Sequence, residues 1–226
     1  MLCDVSFHLA GGATLGLIGA SGSGKTTLGR CLAGLEKPTS GQVVFEGSPV
    51  EIQLIFQQPA SSLNPRFTAA EIVEEPLRIG RRGTAAERRE RAERALGMTG
   101  IARGALGKRA HEFSGGERQR LAIARALVVE PKVLILDESF NGLDAAIQAR
   151  IAGLVRELQD RLGIACIVIS HDLAMVANLA SEIGVLERGV LIEHGPARAL
   201  IGEARQAHTP ELIEAARALH PGAFSA

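Results

Sequence analysis

Short apolar runs rich in β-branched residues recur along the chain, alternating with stretches whose apolar residues return every three to four positions. The first pattern suits strands and the second amphipathic helices, so their alternation predicts an α/β fold with a mostly parallel sheet. Strands are expected at residues 4–9, 14–18, 43–45, 52–56, 132–136, 165–169, 183–187 and 190–193. Residues 4–9 alternate polar and apolar like a half-exposed antiparallel edge, whereas 132–136 and 165–169 are nearly all apolar, like strands covered on both faces. Helices are expected at 25–35, 145–162 and 173–180. Between Pro59 and Glu130 the strand pattern stops and helical stretches take over, at 69–77, 85–96 and 116–129. That block reads as a helical insertion in an α/β core. A last amphipathic helix, 210–219, is expected after a His-Thr-Pro turn.

Composition narrows the class. A chain of 226 residues suits one large α/β domain or two small ones, and at 46% hydrophobic and 22% charged it is long enough to bury a real core. Lys plus Arg equals Asp plus Glu at 25 each, so no basic excess points to nucleic acid. Cys3, Cys31 and Cys166 are odd in number and spaced for neither disulfides nor zinc, which fits a reducing compartment. The longest unbroken apolar run, 164–169, is far short of the roughly 18 residues that span a bilayer. No basic-then-apolar leader opens the chain. Secreted, membrane-spanning and disulfide-scaffold readings are therefore set aside. The stretch from Arg81 to Arg94 carries six Arg and three Glu, the composition of a solvated helix face laced with i,i+3 and i,i+4 pairs. A partner-docking surface is the alternative there. Trp and Tyr are both absent, and there are seven Phe.

Three segments carry chemistry. Gly19-Ala20-Ser21-Gly22-Ser23-Gly24-Lys25-Thr26 fits G-x-x-x-x-G-K-[ST], after an apolar strand and before a helix, with Thr27 next in line. Its glycines let successive N–H groups turn into one concavity that holds phosphate oxygens, and the helix adds its positive dipole end. Lys25 is expected to reach the β- and γ-phosphates, and the Thr26 hydroxyl to ligate Mg²⁺. The second segment is Val133-Leu-Ile-Leu-Asp137-Glu138, a buried strand with two carboxylates at its carboxyl end, where open α/β sheets bind ligands. Buried carboxylates need cations. Mg²⁺ supplies one for Asp137, leaving Glu138 to orient or deprotonate an attacking water. The alternative is an acidic pair that only caps the next turn. The third segment, Ile169-Ser-His171-Asp172, ends another buried strand, from which His171 could reach the γ-phosphate; on position alone it could equally be a plain loop histidine.

Phe113-Ser114-Gly115-Gly116-Glu117-Arg118-Gln119-Arg120, followed by Leu121-Ala-Ile-Ala-Arg-Ala-Leu127, resembles the signature motif of the ATP-binding subunits of ABC transporters, LSGGQ, with Phe for Leu and Glu for Gln. A Ser-Gly-Gly turn opening a helix offers free N–H groups with no side chains in the way, a second grip for phosphate. The resemblance runs from about Val5 to Pro196 and includes five ordered motifs. It implies that Gln57, in Ile55-Phe56-Gln57-Gln58-Pro59, is the Q-loop glutamine that senses Mg²⁺ and the attacking water. It likewise makes Asn141-Gly142-Leu143-Asp144 the D-loop, His171 the switch histidine, and Thr26, Gln57 and Asp137 the metal set. The stretch 56–66 looks like its counterpart in the peptide and nickel importer branch, as do 148–151 and 169–173. Asp137-Glu-Ser-Phe-Asn-Gly-Leu-Asp144 departs from that branch's usual Glu-Pro-Thr-Ser-Ala-Leu-Asp and looks nearer to nickel-type systems. Ala207-His208-Thr209-Pro210 is at best a remnant of the branch's His-Pro-Tyr-Thr segment.

The resemblance implies a single P-loop NTPase domain over 1–226: a RecA-like core at 1–58 and 130–202 with a mostly parallel sheet and antiparallel edge strands, a helical subdomain at 59–129 carrying the signature motif, and a helical tail at 203–226. It implies ATP and Mg²⁺ as cofactors and a head-to-tail pair of ATPase subunits. In that pair the 19–27 loop of one chain and Ser114, Gly115, Gly116 and Glu117 of the other close on one ATP, with Asp144 in the D-loop between them. The expected partners are a second ABC ATPase subunit, identical or paralogous, transmembrane permease subunits and, for an importer, an extracytoplasmic solute-binding protein. No nucleic acid is expected, and the expected location is peripheral, on the cytoplasmic face of the cell membrane. A non-transport ATPase of a phosphonate-type metabolic complex is the alternative within the family, and a nucleic-acid- or ribosome-associated ABC ATPase the alternative outside transport. Relatives usually stack adenine on an aromatic residue upstream of the P-loop. Here 18 residues precede Gly19 and Phe7 alternates with Val5 and Leu9 like a core residue, so weak discrimination between ATP and GTP is expected.

Overall fold

The computed structural model describes residues 2–56 and 62–202. The elements run β1 (Thr14–Ile18), α1 (Lys25–Leu32), β2 (Ile52–Ile55), α2 (Ala69–Ile79), α3 (Ala85–Met98), α4 (Gly115–Leu127), β3 (Val133–Asp137), α5 (Ala145–Leu162), β4 (Ala165–Ile169), α6 (Leu173–Leu179), β5 (Glu182–Glu187), β6 (Val190–Pro196) and α7 (Ala197–Gly202). One sheet forms in the order β2-β3-β4-β1-β5-β6. The pairs β2–β3, β3–β4, β4–β1 and β1–β5 are parallel, and β5–β6 is antiparallel. Among the described residues the sheet therefore has one antiparallel edge strand, where more than one was expected.

The apolar runs of β3 and β4 have the reason anticipated for them. Leu134, Leu136, Cys166 and Val168 pack into the cluster that includes the helical insertion, while Ile135, Ile167 and Ile169 face the opposite layer with Leu15, Leu17 and Leu28. Strands covered on both faces have no polar alternation to show.

Residues 4–9 depart from expectation: they form no strand. Their alternation is real, with Val5, Phe7 and Leu9 half-buried against the Leu15/Ile135/Ile167 layer. The segment lies over that face of the sheet, and the Cys3 N–H donates to the Gly189 carbonyl at 2.7 Å. Period-two burial needs only an extended backbone against an apolar surface, not a ladder. Residues 43–45 are likewise not a strand; Val44 is 77% exposed, so nothing rewards its β-branched side chain with packing.

The insertion consists of α2, α3 and α4, each opened by a reciprocal cap: Thr68 with Glu71, Thr84 with Glu87, and Ser114 with Glu117. Such caps contribute about 1 kcal/mol each. Ile72, Val73, Leu77, Leu96, Leu121 and Ile123 bury the facing sides. Within the Arg-rich stretch, Arg89–Glu93 and Arg94–Glu90 are exposed i,i+4 pairs, as anticipated. Arg88 instead reaches Glu74 on α2 at 3.0 Å, and Arg91 reaches Glu130 and the Val128 carbonyl, both at 3.1 Å. The expected helix at 210–219 lies outside the described residues.

Candidate active site

The parallel strands β1 to β5 place their carboxyl ends on one edge of the sheet, and the motif residues leave the sheet there. The P-loop follows β1. Gly24 holds the N-cap of α1 at φ 107, a conformation open to glycine and costly for other residues, so the first turn of the helix begins without a side chain over it. Ser21 and Gly22 stand exposed, Ser23 is buried and Thr27 is half-buried. A cleft of about 500 Å³ lies against this loop, lined by Gly19 to Ser23 on one side and by Glu187 and Arg188 of the β5–β6 turn on the other.

Lys25 is buried, and its Nζ donates to the carbonyls of Gly19 and Ala20 at 2.7 and 2.9 Å. Burial pushes its pKa below the usual lysine value, and the nearby charges of Glu138 and Asp137 oppose that shift. Anionic phosphate over the loop would relieve the same desolvation. At the end of β3, Asp137 is buried, and burial raises its carboxyl above the ordinary range; the Thr26 hydroxyl donates to its Oδ1 at 3.1 Å and works the other way. Residues 111 positions apart are thus joined at one point by the packing of α1 across the sheet.

Glu138 takes a left-handed backbone, φ 45, and its N–H donates to the Ile169 carbonyl at 2.8 Å, tying the end of β3 to the end of β4. A non-glycine residue in that region costs about 1 kcal/mol. The turn is held: Ser139 Oγ donates to the Ile55 carbonyl at 2.9 Å, and Asn141 Nδ2 donates to Glu138 Oε2 at 3.0 Å. His171 Nδ1 lies 3.8 Å from Glu138 Oε1, with the imidazole 63% exposed. The fold therefore gathers Lys25, Thr26, Asp137, Glu138 and His171. Gln57 lies outside the described residues.

Ser114 to Glu117 form a second locus. Ser114 caps α4, its hydroxyl donating to Glu117 Oε2 at 2.8 Å while the Ser114 N–H does the same. That backbone bond, then the hydroxyl, holds the Glu117 carboxyl below its ordinary range. Gly115 and Gly116 pack beside Leu143 and Ile147, where a Cβ on Gly116 would stand 2.8 Å from Ile147 Cγ2. Asp144 caps α5 by accepting from the Ile147 N–H at 2.9 Å. Signature turn and D-loop thus share one surface, and the P-loop cleft is lined by none of residues 114–117.

Residues that the motifs did not single out bind this framework together. Ser139 spans β3 and β2, and Gln148 Nε2 donates to the carbonyls of Phe140 and Leu143 at 3.2 Å each. Asn141 bonds Glu138 itself. Polar residues in the turn after an acidic strand end were the available signal, but their partners lie on other elements or depend on the turn's geometry.

Residues 2–141 match the family described as ABC transporter. A protein of Brucella ovis named for peptide import and ATP binding is 42% identical over 99% of this chain and 74% of its own length. The chain belongs to the ABC transporter family. It is also 40% identical to the oligopeptide transport ATP-binding protein OppF of Bacillus subtilis, over 94% of this chain and 74% of that protein. With the dipeptide transport ATP-binding protein DppF of Escherichia coli it shares 38% identity over 97% of this chain and 70% of that one. Among solved structures, cbiO1 of Clostridium perfringens, part of the ABC transporter complex cbiONQ, superposes with a TM-score of 0.81 at 30% identity, over 97% of this chain and 89% of that one. The ATP-binding cassette MJ0796, dimeric and bound to ADP and Pi after hydrolysis, superposes with a TM-score of 0.74 at 28% identity, covering 87% of this chain and 90% of that one. As an ABC cassette the chain binds ATP and hydrolyses it to power transport. No helix among the described residues is long and apolar enough to cross a membrane.

Proposed function

We propose that this ABC cassette powers an importer of peptides or related small solutes, nickel included, from the cytoplasmic face of the membrane. The observation that carries its ATPase mechanism is the convergence of Lys25, Thr26, Asp137, Glu138 and His171 on one sheet edge at the P-loop. The names of its relatives support the cargo class. Permease subunits and a second ATPase subunit complete the assembly, with the permease docking on the helical insertion of α2, α3 and α4.

The N–H groups of the 19–24 loop and the Lys25 ammonium hold the β- and γ-phosphates, exchanging the Gly19 and Ala20 carbonyls for phosphate oxygens. The donor set of Thr26 Oγ1 and Asp137 Oδ1 fits Mg²⁺, a hard cation that takes few protein oxygens and keeps its own waters. Bound there, Mg²⁺ would neutralise charge on the phosphate oxygens. Gln57 joins that set by resemblance. Glu138 orients the attacking water and accepts its proton, while His171 faces the γ-phosphate from the end of β4. Ser114 to Glu117 of the second subunit close over the phosphates, so ATP favours the closed pair and hydrolysis releases it.

Glu138→Gln tests the assignment. The variant is expected to bind ATP normally and hydrolyse it at least about tenfold more slowly, since general-base catalysis is worth ~10²–10⁴ in rate. Turnover at the wild-type rate would remove Glu138 from the mechanism.

A further inference from the structure

Glu138 offers two carboxylate oxygens with different surroundings. Oε1 lies 3.8 Å from His171 Nδ1, and Oε2 accepts the Asn141 side-chain amide at 3.0 Å. Asn141 is bound to the same residue a second time, its backbone N–H donating to the Glu138 carbonyl at 3.1 Å. Backbone and side chain together make a closed clamp around Glu138 within a four-residue turn. The turn itself is anchored from outside by the Glu138 N–H on Ile169 and by Ser139 on Ile55.

A glutamate has three side-chain torsions, and the left-handed backbone of Glu138 already sets its Cβ in an uncommon direction. The Asn141 bond narrows the rotamers open to the carboxylate, only some of which meet a water in line with the γ-phosphate. Small misplacements of a reacting group are costly, reaching about a hundredfold in rate for an ångström. Asparagine suits the tether because its amide nitrogen is a donor; aspartate has the same shape and turn preference but presents a second acceptor.

We propose that Asn141 is a positioning residue for hydrolysis: its amide holds Oε2 of Glu138 and so aims Oε1 at the attacking water. The inference rests on Glu138 being the base. Asn141 acts through Glu138 and has no role in holding ATP.

The test is steady-state ATP hydrolysis by Asn141→Ala and Asn141→Asp, alone and combined with Glu138→Gln, with thermal unfolding of each variant. Asn141→Ala is expected to lower kcat about tenfold with KM for ATP and the unfolding midpoint unchanged. Asn141→Asp, which keeps the turn and loses the donor, is expected to lower kcat at least as far. In the Glu138→Gln background either change should have no further effect, because the tethered group has already lost its function. A slow Glu138→Gln together with wild-type turnover in Asn141→Asp would overturn the positioning role alone, leaving Glu138 in place. A rise in KM with kcat unchanged, or a further loss on top of Glu138→Gln, would also overturn it. A fully active Glu138→Gln would remove the base and with it this inference.

Discussion

Lys25 is a charge that the fold has largely taken out of water. Its ammonium is buried and bonded to two loop carbonyls, with its pKa depressed by desolvation, so a charge is held where water solvates it poorly. Charged hydrogen bonds are worth about 1.5–3 kcal/mol each. Lys25→Ala should therefore weaken ATP binding by at least about tenfold in a calorimetric titration; unchanged affinity would contradict the phosphate role. The places of Lys25, Thr26 and Asp137 at the ends of β1 and β3 were legible in the sequence because each belongs to a contiguous motif. The Asn141–Glu138 and Ser139–Ile55 bonds were not, since a polar residue in a turn has many possible partners and the turn's backbone decides among them.

At the level of elements, packing distance matters more than propensity. Gly16 in β1 lies so close under α6 that a Cβ there would overlap Val176 Cγ1 and stand 3.1 Å from Ala180 Cβ. Overpacking of this kind costs about 1–3 kcal/mol. Gly16→Ala should lower the midpoint of urea unfolding without changing its slope, and an unaltered midpoint would show that α6 shifts freely. Packing also decides which apolar segments become strands. Helix α5 begins and ends where the sequence pattern places it because its 3.6-residue period runs unbroken from the Asp144 cap to Gly163. Residues 4–9 had the period of a strand but not the neighbour, and 43–45 had strand residues without a surface to cover.

Across the whole molecule, the P-loop and the signature turn occupy separate places. The cleft beside the P-loop has residues 19–23 and the β5–β6 turn as walls, while Ser114 to Glu117 sit with Leu143 and Ile147 at the D-loop. The two loci are separate in one chain, and the solved cassette MJ0796 is dimeric. Ser114→Arg places a long cation where a second subunit would close. ATP binding to one chain should survive it, while ATP-driven dimerisation, followed by light scattering with a non-hydrolysable analogue, should be lost. Persistent dimers would argue against a shared site.

The sequence by itself determined the chemistry that is local: a glycine-rich turn with its lysine, an acidic strand end, a capped Ser-Gly-Gly helix start. Backbone geometry over a few residues is enough to make each of these, so the letters suffice to read them. Tertiary structure alone decided which of them meet. Thr26 reaches Asp137 because α1 crosses the sheet, Glu138 meets His171 because β3 and β4 are parallel neighbours ending at one edge, and the 4–9 segment covers a face instead of extending an edge. Those outcomes depend on burial and register summed over the whole core, which no single stretch of sequence contains.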